Sequence, residues 1–133
     1  MSDDQANINQ NEQGDKKILV VDQDPFLTEL VHYHFNKLGY EVESCVSIED
    51  WFGLDAADYS LVIVDVAIDQ NSGAQIIDGI AQGAPNVPTL VCAPANDTNS
   101  IVQALNAGAT DYITRPFAIN DFVSRINAIL EKN

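Results

Sequence analysis

Two apolar tetrads, Ile18-Leu19-Val20-Val21 and Leu61-Val62-Ile63-Val64, each run straight into an aspartate, Asp22 and Asp65. Successive side chains of a strand point to opposite faces, so a continuous aliphatic run needs cover on both sides. That pattern predicts buried strands of a parallel sheet with helices above and below. The intervening segments supply the helices. Pro25 suits a first helical position, and Phe26, Leu27, Leu30, Val31, Phe35 and Leu38 recur at helical spacing. Gly39 ends that helix where a left-handed residue is wanted. Tyr40 to Val46 alternates like a strand, and Ser47 with Asp50 resembles a capping box opening a short helix over Ile48 to Leu54. On it, Trp51 and Phe52 read as core and rim. A helix near Ser72 to Gln82, a strand at Thr89 to Cys92 after Pro88, and a helix over Ser100 to Ala107 follow. The last of these carries Ile101, Val102 and Leu105 on one face. Asp111 to Thr114 reads as a short strand, and Ile119 to Leu130 as a final helix with Phe122, Val123, Ile126, Ile129 and Leu130 inward. Five strand–helix alternations with right-handed crossovers predict an open, doubly wound α/β fold with a five-stranded parallel sheet.

At 133 residues the chain is one domain's worth. Residues 1–15 are polar and acidic with little to bury, and are expected to form a disordered tail ahead of a domain over residues 16–132. Twenty acidic residues against six basic ones give a net charge of −14. Between Leu38 and Thr114 there are eleven acids and no Lys or Arg. Nucleic acid and anionic membranes both require clustered cations, so neither is expected as a partner of this domain. No apolar run approaches the roughly 20 residues that span a bilayer. The N-terminus has no basic and apolar regions of a signal peptide. Cys45 and Cys92 lie in apolar runs without metal or redox spacing, and read as small core residues of a cytoplasmic protein. His32 and His34, two apart on a helix, do not face each other and read as solvated or packed.

In open α/β sheets the functional crevice lies at the carboxyl ends of the strands. There the sequence places Asp22-Gln23-Asp24 after the first strand, Asp65 after the third and Thr114-Arg115-Pro116 after the fifth. An acidic cluster suits a hard cation such as Mg²⁺, and a neighbouring cation suits a phosphoryl group whose oxygens need neutralising.

Lys17-Ile18-Leu19-Val20-Val21-Asp22, the isolated Asp65 and the run Gly108-Ala109-Thr110-Asp111-Tyr112-Ile113-Thr114-Arg115-Pro116-Phe117 together resemble the response-regulator receiver domain of two-component signalling. The resemblance covers residues 16–132 in the right order and spacing. It implies a flavodoxin-like sheet of strand order 2-1-3-4-5. It also implies a phosphorelay module, not an enzyme, that accepts a phosphoryl group on Asp65 from a histidine kinase or phosphotransfer protein. Asp22, Gln23, Asp65 and the backbone carbonyl of Ala67 would hold Mg²⁺, Arg115 would meet the phosphate, and the peptide before Pro116 would be cis. Tyr112 stands where the family has its switch aromatic. Around it, the sequence is most similar to receivers of the OmpR/PhoB type, which signal and dimerise through a face built by the fourth helix, fifth strand and fifth helix. Asp111 and Arg125 match two positions that pair between protomers there, though the fourth helix has no charge to add. An output domain or a partner protein would receive the signal.

Several positions depart from the family pattern. Gln23 replaces a second acid, which removes a negative charge from the metal site. Ala93 stands where a Ser or Thr hydroxyl would bond the phosphoryl group, with the stiff Pro94 next to it. Arg115 replaces a lysine, and Asp69 adds charge beside the acceptor. These departures support an alternative, a degenerate pseudo-receiver that acts as a phosphorylation-independent interaction module. In that alternative Asp65 is a structural acid, Asp22 a solvated one, Tyr112 is locked, and Arg115 pairs permanently with a carboxylate, mimicking the neutralised state. A nucleotide-binding sheet is disfavoured, since Asp22-Gln23-Asp24-Pro25 stands where a Gly-rich loop would be.

Overall fold

The computed structural model describes residues 16–66 and 72–132. The expected N-terminal tail, Ala67 and Asp69 lie outside the described residues. Five parallel strands, β1 (Lys17–Val21), β2 (Glu41–Cys45), β3 (Leu61–Asp65), β4 (Thr89–Pro94) and β5 (Asp111–Arg115), form one sheet in the order β2-β1-β3-β4-β5. This is the flavodoxin-like order that the sequence implied. Five helices connect and follow them: α1 (Pro25–Phe35), α2 (Ile48–Phe52), α3 (Ser72–Gly83), α4 (Thr98–Ala107) and α5 (Ile119–Glu131).

The two tetrads behave as their pattern requires. Ile18 and Val20 of β1, with Leu61 and Ile63 of β3, face a core completed by Leu27, Val31 and Phe35 of α1 and Phe122, Ile126 and Ile129 of α5. Leu19, Val21, Val62 and Val64 face the opposite core with Trp51, Ile76, Ile77, Ile80 and Ala104, drawn from α2, α3 and α4. Burying a side chain of this size stabilises by about 1.5–3 kcal/mol, which is why β1 and β3 sit at the centre of the sheet.

Local signals set the helix ends. Asp24 caps α1, its Oδ1 accepting from the Phe26 amide at 3.0 Å, with Pro25 in the first turn. Ser47 caps α2 by accepting from the Asp50 amide at 3.1 Å. Helix α1 does not run to Gly39. It gives way after Phe35 to a 3₁₀ turn over Asn36–Leu38, which Gly39 closes at φ 96° and which leaves Leu38 exposed. Helix α4 starts earlier than its apolar residues suggest, because Asp97 caps it by accepting from the Ser100 amide. It buries Ile101 and Ala104 and leaves Val102 and Leu105 at the surface. On α5, Val123 and Leu130 are only partly buried beside Phe122, Ile126 and Ile129. No helix of the described residues is long and apolar enough to cross a membrane.

Candidate functional site

The carboxyl ends of β1, β3 and β5 bring Asp22, Asp65 and Arg115 together. Strand β3 delivers Asp65 because its four preceding residues are fully buried, so the chain can first turn polar at the sheet edge. Strand β5 delivers Arg115 from the far side of β4, whose Pro94 pairs with it in register. The two form a fork. Arg115 Nη2 donates to Asp65 Oδ2 at 2.6 Å and Nη1 donates to Oδ1 at 3.2 Å. The Asp65 side chain is 5% exposed and that of Arg115 33%. Burial opposes the charge of the guanidinium, but the hydrogen bonds and charge of Asp65 outweigh it and hold the Arg115 pKa above its ordinary value. Of the alternatives the sequence left open for Arg115, the structure contains the ion pair with Asp65.

Asp22 follows β1 and is buried, which removes the solvated reading of this residue. Its Oδ1 accepts from the Asp24 amide at 3.1 Å. Its Oδ2 is buried without a hydrogen-bond partner among the described residues. Desolvation, aided by the charge and contact of Asp65, pushes the Asp22 carboxyl up to about 6 from 3.8. Two carboxylates thus share a small volume with one cation, and one anionic oxygen is left unsatisfied.

That orphaned oxygen is the feature that fits Mg²⁺, a hard cation that takes carboxylate oxygens and keeps several waters. Among the described residues no group of three or more His, Cys, Asp or Glu is arranged to hold a metal ion. Asp22 and Asp65 are the buried carboxylates at this strand edge. Gln23 is exposed beside them, and Asp24 is engaged as the α1 cap.

The remaining candidates lie around this centre. Ala93 is fully buried on β4, opposite Thr114, and brings no hydroxyl to the strand end. Tyr112 is 39% exposed on β5, with its ring at the surface. The Arg115–Pro116 peptide is cis. Arg125 does not need a second chain for a partner: it bonds Asp111, Asp121 and the Tyr112 carbonyl within its own domain. One feature escaped the sequence reading. Phe117 stacks on Phe122 at 4.9 Å and anchors the segment after Arg115 to α5. Its aromatic spacing of five was the available signal.

The chain is similar in sequence and fold to known proteins. The sequence pattern described as the response regulator receiver domain matches residues 18–127. The chain belongs to the response-regulator receiver family. It is 30% identical over 120 residues to the transcriptional regulatory protein KdpE of Mycobacterium tuberculosis, covering 87% of this chain and 51% of that protein. To the transcriptional regulatory protein BasR of Escherichia coli it is 28% identical over 118 residues, covering 88% and 53%. The chain thus spans about half the length of the curated relatives it matches. Among solved structures it is similar to the OmpR/PhoB homolog DrrB of Thermotoga maritima, with 29% identity and a TM-score of 0.75, covering 87% of this chain and 52% of that one. It is also similar to a BeF3-activated DrrB receiver domain, with 28% identity and a TM-score of 0.75, covering 86% and 97%. The receiver is therefore part of two-component signalling, and members of this family generally bind Mg²⁺ at the acidic site.

Proposed function

We propose that this receiver accepts a phosphoryl group on Asp65 from a phosphohistidine of a histidine kinase or phosphotransfer protein. The observation that carries this reading is the juxtaposition of the buried Asp65, the unsatisfied Asp22 oxygen and the Arg115 guanidinium at one strand edge. An Asp65 carboxylate oxygen attacks phosphorus, the P–N bond breaks, and the imidazole leaves with the electron pair. Asp22 and Asp65 would hold Mg²⁺, with Gln23 and the Ala67 carbonyl as further oxygen donors, and the ion would supply charge neutralisation of the transferred oxygens. Arg115 does two things in turn. Before transfer its fork holds both Asp65 oxygens, and during transfer it must release at least one and turn its donors onto the phosphoryl group. The domain is a substrate of its kinase and performs no turnover chemistry. It would work in the cytoplasm and pass its state through the surface of α4, β5 and α5 to an output domain, a partner protein or a second copy.

The Arg115–Asp65 fork also favours a second reading, in which the pair is permanent and the domain acts as a pseudo-receiver. Amide NMR separates the two. With Mg²⁺ and then beryllofluoride, a working receiver gives saturable shifts at Asp65 and Arg115 that vanish in Asp65→Asn. A spectrum unmoved by millimolar Mg²⁺ and beryllofluoride rejects phosphoacceptance.

A further inference from the structure

Helix α3 carries two glycines that nothing among the described residues requires. Neither Gly79 nor Gly83 has a positive φ, and a Cβ on either would meet no atom of the described residues within 4 Å. Glycine weakens a helix relative to alanine, so these positions forgo stability without an internal return. Four residues apart, they lie on the same side of α3. They help line a cleft of about 400 Å³ between α2 and α3, together with Trp51, Phe52, Leu54 and Ala84. Phe52 stands 72% exposed at its edge.

Charge specifies what such a cleft would take. Glu49 and Asp50 on α2, Asp55 and Asp58 in the turn after it, and Asp78 on α3 are all exposed. No Lys or Arg occurs between residues 38 and 114, and Lys17 of β1 interacts with Asp58 of this set. A symmetric second copy would lay these acids against themselves. The first fifteen residues hold four acids and no cation, so they are repelled as well.

We propose that the α2–α3 cleft docks an amphipathic helical segment of another protein, with a large apolar side chain seated over Gly79 and Gly83 and Lys or Arg along its edges. Helix-in-groove recognition takes its affinity from such anchors, while flanking charge sets specificity and association rate. The surface is separate from the Asp22–Asp65–Arg115 centre and does not depend on phosphoacceptance.

The test uses the isotopically labelled chain and two synthetic helical peptides that share Leu and Phe anchors four residues apart, one flanked by Lys and the other by Glu. The Lys peptide is expected to shift the Trp51 indole and the Gly79 and Gly83 amides saturably, to leave Asp65 and Arg115 in place, and to weaken as salt rises. The double variant Gly79→Gln, Gly83→Gln fills the cleft while improving helix propensity. It should unfold at a higher temperature yet bind the Lys peptide about tenfold or more weakly. Absence of binding by the Lys peptide, equal binding of the Glu peptide, or full affinity in the double variant overturns the proposal. So do shifts that map elsewhere, or concentration-dependent shifts of the same residues without peptide, which would assign the cleft to a second copy.

Discussion

Replacing Asp22 with asparagine measures what the site costs the fold. Asp22 is 4% exposed, and desolvation together with Asp65 lifts its carboxyl to about 6 against an ordinary 3.8. Because the folded value is the higher one, the unfolded chain releases this proton first as pH rises. The fold therefore loses stability between about pH 4 and pH 6, and the loss is complete above that window. The gap between the two values is worth about 3 kcal/mol at neutral pH, a large share of the roughly 5–15 kcal/mol that holds a domain together. Asparagine keeps an acceptor for the Asp24 amide and places an NH₂ where Oδ2 lacks a partner, facing the Asp65 side.

Urea unfolding followed by Trp51, the single tryptophan, reads the effect in EDTA. Asp22→Asn should be more stable than the unmodified chain by about 2–3 kcal/mol near pH 7.5, and the gain should largely disappear near pH 4. Millimolar Mg²⁺ should restore stability to the unmodified chain and not to the variant, because binding to the folded state alone stabilises it. A gain that is absent at neutral pH, or that persists unchanged in acid, refutes the assignment of the cost to a buried charged Asp22.

Three further outcomes are expected. Arg115→Lys cannot fork, so it loosens the clamp on Asp65, and beryllofluoride with Mg²⁺ should bind about tenfold more tightly, the equivalent of one weakened charge-assisted hydrogen bond; unchanged affinity in a fluoride titration would show that the clamp is no barrier. Ala93→Thr adds a hydroxyl and a methyl in a fully buried place, and should lower stability by about 1–3 kcal/mol while making the Tyr112 ring signals respond to beryllofluoride; the unmodified chain, lacking that hydroxyl, is expected to show no such response. Tyr59→Phe removes the hydroxyl that donates to Glu43 Oε1 at 2.6 Å and should cost about 1 kcal/mol, since Glu43 is partly in solvent. That hydroxyl is the first cause of the lowered Glu43 pKa. The stability it supplies is present above about pH 4.5 and fades as pH falls through the folded value, so the variant's denaturation profile should be flatter on the acid side.

The sheet was legible because β1 and β3 are written in residues with one physical solution, burial on both faces. The strand-end acids were legible for the same reason, since a buried strand can turn polar only where it leaves the sheet. What stayed hidden depended on small or polar residues whose role is set by neighbours. Ala104 is core on α4, yet alanine carries no periodic signal, so Val102 and Leu105 stood in for it. The polar stretch Asn96-Asp97-Thr98-Asn99 concealed the start of α4, because Asp97 acts through a cap and not through hydrophobicity. Leu38 fits the helical period of α1 but falls in a 3₁₀ turn, whose tighter winding carries it away from the core. The partner of Arg115 could not be read at all. Both acids lie within reach by sequence order, and only packing decides that the fork closes on Asp65 and leaves Asp22 Oδ2 unsatisfied.

That division has a consequence for how the domain works. The altered positions fall into two physical groups. Gln23 and Arg115 bear on charge at the strand edge: with one acid fewer and a guanidinium on both Asp65 oxygens, the proposed acceptor would be neutralised before any phosphoryl group arrived. A metal, on the proposed function, would then be drawn chiefly to Asp22, whose Oδ2 has no hydrogen-bond partner among the described residues. Ala93 acts elsewhere, on transmission. It sits fully buried between Cys92 and Pro94 with no hydroxyl to follow a phosphoryl group, while Tyr112 already has its ring at the surface. On the proposed function, no hydroxyl at Ala93 would link chemistry at Asp65 to movement at Tyr112. A phosphoryl group would change the charge of the strand edge by replacing the Asp65–Arg115 fork, and that electrostatic change, not a rotating ring, is what a partner would read.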